Sequence, residues 1–142
     1  MHELDSTDER IIEILKRNAR SSLRDMADED GVNLSASSIR NRMLKLEQDG
    51  VIKNYTVDVD YRKMGFAIQV IVLIRAKPKK IDMVVKELKE HKNVHNTYRT
   101  TGSVNVVCLV RAKNMESLTD FLENGLEKFD GIEKFESLLI LE

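Results

Sequence analysis

The spacing of apolar residues changes near the middle of the chain. Up to residue 50 they recur every third or fourth position, the period of an amphipathic helix. Ile11, Ile12 and Leu15 form one such stripe. Ser6 opens it, with Glu9 three residues on in a capping-box pattern. A second helix is expected over residues 22–29, with Leu23, Met26 and Ala27 inward, and Asp30-Gly31 as a turn. A third begins after Ser35, a good N-cap, carries Ile39, Met43 and Leu46 on one face, and stops at Gly50. Three short helices with a turn between the second and third make a helix-turn-helix pattern.

After Gly50 the period shortens. Val51–Val59 is rich in β-branched residues and reads as strand, with a small wing at Lys53-Asn54. A polar connection ending at Gly65 places a boundary near Asp60, predicting domains of residues 1–60 and 61–142. The second domain reads strand (66–76), helix opened by Pro78, strand (94–101), turn at Gly102-Ser103, strand (105–112), helix (115–128) and strand (135–141). That is βαββαβ, a ferredoxin-like α+β arrangement in which two helices cover one sheet face.

These strands are apolar on both faces. Phe66, Ile68, Val70, Val72 and Ile74 oppose Ala67, Gln69, Ile71, Leu73 and Arg75. Val107 and Leu109 oppose Val106, Cys108 and Val110. A half-covered antiparallel sheet should instead alternate apolar with polar residues. The second face therefore needs a second layer, and a two-fold copy of the same sheet supplies one.

Composition narrows the function classes. The 142 residues are 33% charged and 42% hydrophobic, as in soluble globular proteins. No apolar run approaches the roughly 20 residues needed to span a bilayer, so no membrane partner is expected. The charged start is unlike a signal peptide, which points to the cytoplasm. One cysteine, Cys108, excludes an intrachain disulfide and suits a core position. His2, His91, His95 and Cys108 show no metal-ligand spacing, so neither metal nor cofactor is expected. Net charge is −1, and the helical half is the more acidic one. Residues 35–46 nonetheless hold Arg40, Arg42 and Lys45 without an acid.

That local basic face sits on a helix whose leading end is small and polar. Such a helix suits a DNA major groove, with its first residues near the base edges. Ser37, Ser38, Arg40 and Asn41 are the base-edge candidates, since Arg reads guanine and Asn reads adenine. Lys45 and Arg42 suit phosphate, though Arg42 equally suits a brace to an acid on an earlier helix. Lys53 of the wing suits backbone contact. A two-fold dimer would offer two such helices, one per half-site.

The run Leu4-Asp5-x-x-Asp8-x-x-Ile11-Ile12-x-x-Leu15, Ala19-Arg20, Ser35-x-Ser37-Ser38-Ile39-x-x-Arg42-Met43-x-x-Leu46-Glu47-x-x-Gly50-Val51-Ile52 resembles the Lrp/AsnC family, the leucine-responsive and asparagine-operon type transcription regulators. The second half resembles their ligand-sensing domain, with Thr101-Gly102 at a turn and Gly131-Ile132 before the last strand. The resemblance implies a winged helix-turn-helix, dimers through the C-terminal sheet, octamers, double-stranded DNA as partner and an amino-acid effector. It places the effector near Thr101, Gly102, Ser103, Val104 and Asn105, with Ser137 on the last strand. An ordinary hairpin turn explains Gly102-Ser103 equally well.

Three positions depart from the family pattern. Asn105 stands where an acid is usual. Phe135 and Ser137 stand where two threonines are frequent. Asp28–Leu34 is about two residues longer than the usual turn. The same superfamily includes decarboxylases of sirohaem-type tetrapyrroles, whose sequences look similar around His95-Asn96-x-Tyr98-Arg99. Strand alternation there puts His95 and Arg99 on one face and Tyr98 on the other. No nucleophile–base pair appears elsewhere, so a non-enzymatic regulator is the favoured reading.

Overall fold

The computed structural model describes residues 3–142. Met1 and His2, the start of the lead expected before the first helix, lie outside the described residues. The chain forms two compact units, one reaching to Asp58 and one from Val59 onward.

The first unit holds α1 (Ser6–Arg17), α2 (Leu23–Ala27) and α3 (Ala36–Gln48). The first cap lies one residue earlier than Ser6. Asp5 accepts from the Asp8 backbone N–H at 2.8 Å, and Asp8 accepts from that of Asp5 at 3.3 Å. Asp caps as well as Ser, and the pair satisfies two first-turn donors at once. Ser22 and Ser35 cap α2 and α3 through the N–H groups of Asp25 and Ser38. The core of the unit is Ile11, Ile14, Leu15, Met26, Val32 and Ile39. Ile14 is buried and Ile12 only half-buried, so the α1 stripe is rotated from the expected one.

The turn between α2 and α3 is long. Gly31 (φ 84°) and Asn33 (φ 50°) take left-handed backbone, and Val32 between them is buried. Arg10 of α1 holds this turn: its Nε donates to the Asp30 carbonyl at 2.9 Å and its guanidinium pairs with Glu29, which also binds Arg17.

Residues 51–59, expected as strand with a wing, form no strand. β-branched residues favour extended backbone, but a strand exists only where its backbone groups find a partner strand. Instead the amides of Val51 and Ile52 both donate to the Leu46 carbonyl, and the Tyr55 hydroxyl donates to Glu47 at 2.6 Å.

The second unit is an antiparallel sheet of β1 (Ile68–Ala76), β2 (Val94–Arg99), β3 (Val106–Ala112) and β4 (Ile132–Leu139), in the order β2-β3-β1-β4. Helix α4 (Ile81–Glu90) follows β1 after a 3₁₀ turn begun by Pro78. Helix α5 (Met115–Asp120) follows β3 and continues as widened π turns over Phe121–Leu126. This is the βαββαβ arrangement. Val70, Val72, Ile74, Ala76, Val106, Cys108, Val110 and Ala112 pack against Val84, Leu88, Leu118, Phe121 and Leu126 of the helical layer. Cys108 is a core residue, its thiol pushed up to about 12 by burial.

The opposite sheet face carries Ile71, Leu73, Val107 and Leu109, each half-buried within the single chain. Leu138 and Tyr98 are exposed at 42% and 57%. At one end Tyr61 and Phe66 pack on His95, and the Arg111 guanidinium lies 3.6 Å over the Tyr61 ring.

Candidate nucleic-acid interface and effector site

Helix α3 has a buried back and a free front. Ile39 and Leu46 are fully buried, while Ser37, Arg40, Asn41 and Lys45 are exposed. The Ser35 hydroxyl oxygen accepts from the Ser38 amide at 3.2 Å and from the Ser38 hydroxyl at 3.0 Å; Ser37 lies 3.2 Å away. Three hydroxyls thus cluster at the leading end. Ser38 is committed to the cap, and Ser37 faces outward. Among the described residues, Arg40, Asn41 and Lys45 form no hydrogen bond or ion pair by their side chains. Three donor-rich groups are therefore open to solvent along one helix face. Lys53 is exposed in the segment that follows.

Arg42 differs from its neighbours. Its guanidinium contacts both Asp5 oxygens, at 2.7 and 2.6 Å, and Asp8 at 3.1 Å. Asp8 is wholly buried. The guanidinium beside Asp5 holds that carboxyl down to about 2, and the two carboxylates raise Arg42 above its ordinary value. The same acids that cap α1 thereby clamp α3 from behind. Of the two roles open to Arg42, this geometry matches the brace.

At the hairpin between β2 and β3, Thr101, Gly102 and Ser103 are exposed, and Gly102 adopts φ 108°. The Thr100 hydroxyl donates to the Val104 carbonyl, closing the turn. Asn105 is turned away from it. Its side-chain oxygen accepts from the Ala76 N–H at 2.8 Å, and its side-chain N–H donates to the Ala76 carbonyl at 2.9 Å. The amide thus imitates one more rung of the β1–β3 ladder. A carboxylate could accept but could not donate.

Ser103 and Val104 line a recess of about 200 Å³ together with Leu73, Arg75, Lys134, Phe135 and Glu136. Ser137 pairs with Val72 further along β4 and lies outside its lining. Arg75 and Lys134 were absent from the expected site. Alternation along each strand is legible in a sequence, but their apposition follows from the β1–β4 register.

The expected face-sharing of His95 and Arg99 is not found. A bulge between Val94 and Asn96 shifts the register by one. His95 packs on Tyr61 and Phe66, while Arg99 pairs with Asp82 of α4 at 2.6 Å. Burial, and then the nearby Arg111, lower the His95 pKa. A wider groove of about 540 Å³ runs between α4 and the π turns. There His91 meets the Phe121 ring edge-on at 4.8 Å, and burial lowers its pKa.

Residues 4–53 match a winged helix-turn-helix DNA-binding model, and residues 69–142 match the Lrp/AsnC ligand binding domain. An uncharacterised HTH-type transcriptional regulator of Pyrococcus horikoshii is 34% identical over 140 residues, covering 99% of this chain and 93% of that protein. The HTH-type transcriptional regulator LrpA of the same organism is 31% identical, covering 98% and 97%. The solved AsnC of E. coli superposes with a TM-score of 0.88 at 26% identity, covering 99% of this chain and 94% of that one.

Proposed function

The chain belongs to the Lrp/AsnC family of DNA-binding transcription regulators, and from that premise we propose that it recognises specific DNA as a dimer or higher oligomer under small-molecule control. One observation supports the reading above others. Helix α3 presents Ser37, Arg40, Asn41 and Lys45 free to solvent while Arg42 is held from behind by Asp5 and Asp8. A groove-reading helix needs this division, with rigid support behind and unspent donors in front.

In this reading Ser37, Ser38, Arg40 and Asn41 contact base edges. Lys45 and Lys53 contact phosphate. Arg42 sets the helix in place and reaches phosphate only if it leaves its acids. The exposed apolar sheet face, with Leu138 and Tyr98 among its residues, packs on a second copy and leaves its hairpin end, around Arg75 and Lys134, at the rim of that interface. Pairing two helices offsets the weak attraction of a chain with net charge −1. The hairpin end of the second domain holds the effector.

The test is a genomic-fragment selection with the full-length protein, at near-physiological salt, with and without pooled small metabolites. We expect enriched fragments to share a pseudo-palindrome. Arg40→Ala should then lose about 1–3 kcal/mol at one position of each half-site. Binding with no shared motif, or unchanged preference in Arg40→Ala, would remove Arg40 from the recognition set.

A further inference from the structure

We propose, resting on the reading that the second domain senses a small molecule, that the recess at the hairpin end is an anion site. Its ligand is a small metabolite bearing carboxylate or phosphate oxygens, with no α-ammonium group required.

The argument begins with strand register. Arg75 of β1 and Lys134 of β4 are direct cross-strand partners. Like charges in directly opposed positions of an antiparallel pair destabilise it. Among the described residues no acid forms an ion pair with either. Arg75 makes one hydrogen bond, to the Gly102 carbonyl at 3.2 Å. Lys134 makes no side-chain hydrogen bond or ion pair among the described residues. Both line the recess of about 200 Å³, with the Ser103 hydroxyl beside them. Two cations and a hydroxyl converge on a concavity that an anion would complete. The guanidinium fork, with donors left over, suits two oxygens of one carboxylate or phosphate.

The lining also limits the ligand. A recess this size falls below the roughly 300–1,000 Å³ of drug-sized pockets, so it suits a short carbon skeleton. Leu73 provides an apolar wall for that skeleton. An amino acid would need an acceptor for its ammonium group. Asn105 carries no charge to pair with it, and its amide is turned toward Ala76, which it bonds through both oxygen and nitrogen. Glu136 is the one acid in the lining, against two cations, and forms no ion pair with either.

Glu136 decides the test, because the two ligand classes respond to it with opposite sign. The full-length protein, without DNA, is titrated calorimetrically with inorganic phosphate, succinate, neutral succinamide and L-leucine. The expected result is binding of phosphate or succinate, and none of succinamide. Affinity falls tenfold or more in Arg75→Gln and in Lys134→Gln, and rises in Glu136→Gln. Preference between phosphate and succinate names the source of the anion. Weaker binding in Glu136→Gln, L-leucine binding in place of both anions, or no binding of either anion overturns the proposal. Because ligand binding is scored without DNA, a protein that takes the anion but selects no DNA fragment refutes the regulator reading and not the site.

Discussion

Replacing Asn105 with Ala removes both hydrogen bonds that its side chain makes to Ala76. The residue is half-buried at the open end of the β1–β3 ladder, and Ala76 itself is fully buried. A neutral hydrogen bond contributes about 0.5–1.5 kcal/mol net, and a buried backbone group left without its partner costs about 1–3 kcal/mol. Water reaches one side of the hairpin end, so the two losses should total about 2–4 kcal/mol. In a unit of this size 1 kcal/mol shifts Tm by roughly 4–8 °C. Calorimetry of the full-length protein, with no ligand present, should show the transition of the second domain fall by roughly 10–30 °C. Asn105→Asp keeps the acceptor for the Ala76 N–H but places a carboxylate against the Ala76 carbonyl. It should lose about half as much, roughly 1–2 kcal/mol. If both variants melt like wild type and lose only their response to small molecules, the amide belongs to a ligand and the ladder argument is wrong.

Three further outcomes follow from the same geometry. Arg10→Ala should free the 28–34 turn from α1, raising amide exchange there and weakening selected DNA more than random DNA, while the sheet domain melts unchanged. Gly131→Ala should destabilise the second domain. Gly131 sits at φ 125°, where a Cβ would lie 3.0 Å from Lys80 Cβ and 3.1 Å from Val84 Cγ2, and unfolding by urea reads the loss. His91 and His95 both have folded pKa values below the unfolded value of about 6.5. The unfolded chain therefore binds more protons below that pH. Stability should be complete above about pH 6.5 and decline as pH falls toward the folded values. A His91→Gln, His95→Gln double variant should flatten that decline.

Helices and strands were legible because each carries its own period. The α3 stripe of Ile39, Met43 and Leu46 needs no knowledge of the rest of the chain. The two-sided apolar strands were equally plain, and they pointed to a face left open by α4 and α5. What escaped the sequence depends on register and on competition between residues. The bulge at His95 breaks strand alternation with no glycine to mark it. The apposition of Arg75 and Lys134 exists only once β1 and β4 are aligned. Asn105 reads as a ligand contact by its place in the motif; that its amide also reaches the unpaired end of β1 and bonds Ala76 is visible only in three dimensions. Residues 51–59 have strand composition, but no strand of their own unit to pair with.

The clamp on Arg42 joins residues 37 and 34 positions apart in the chain. Asp5 and Asp8 hold their orientation only while the first turn of α1 exists, since each accepts the other's amide. The last helix of the unit is thus latched by the opening turn of the first. Fraying at α1 does not remain local: it releases the latch, and α3 loosens with it. The placement of α3 and the folding cooperativity of the unit depend on the same two carboxylates, so a chain that has lost one has lost the other.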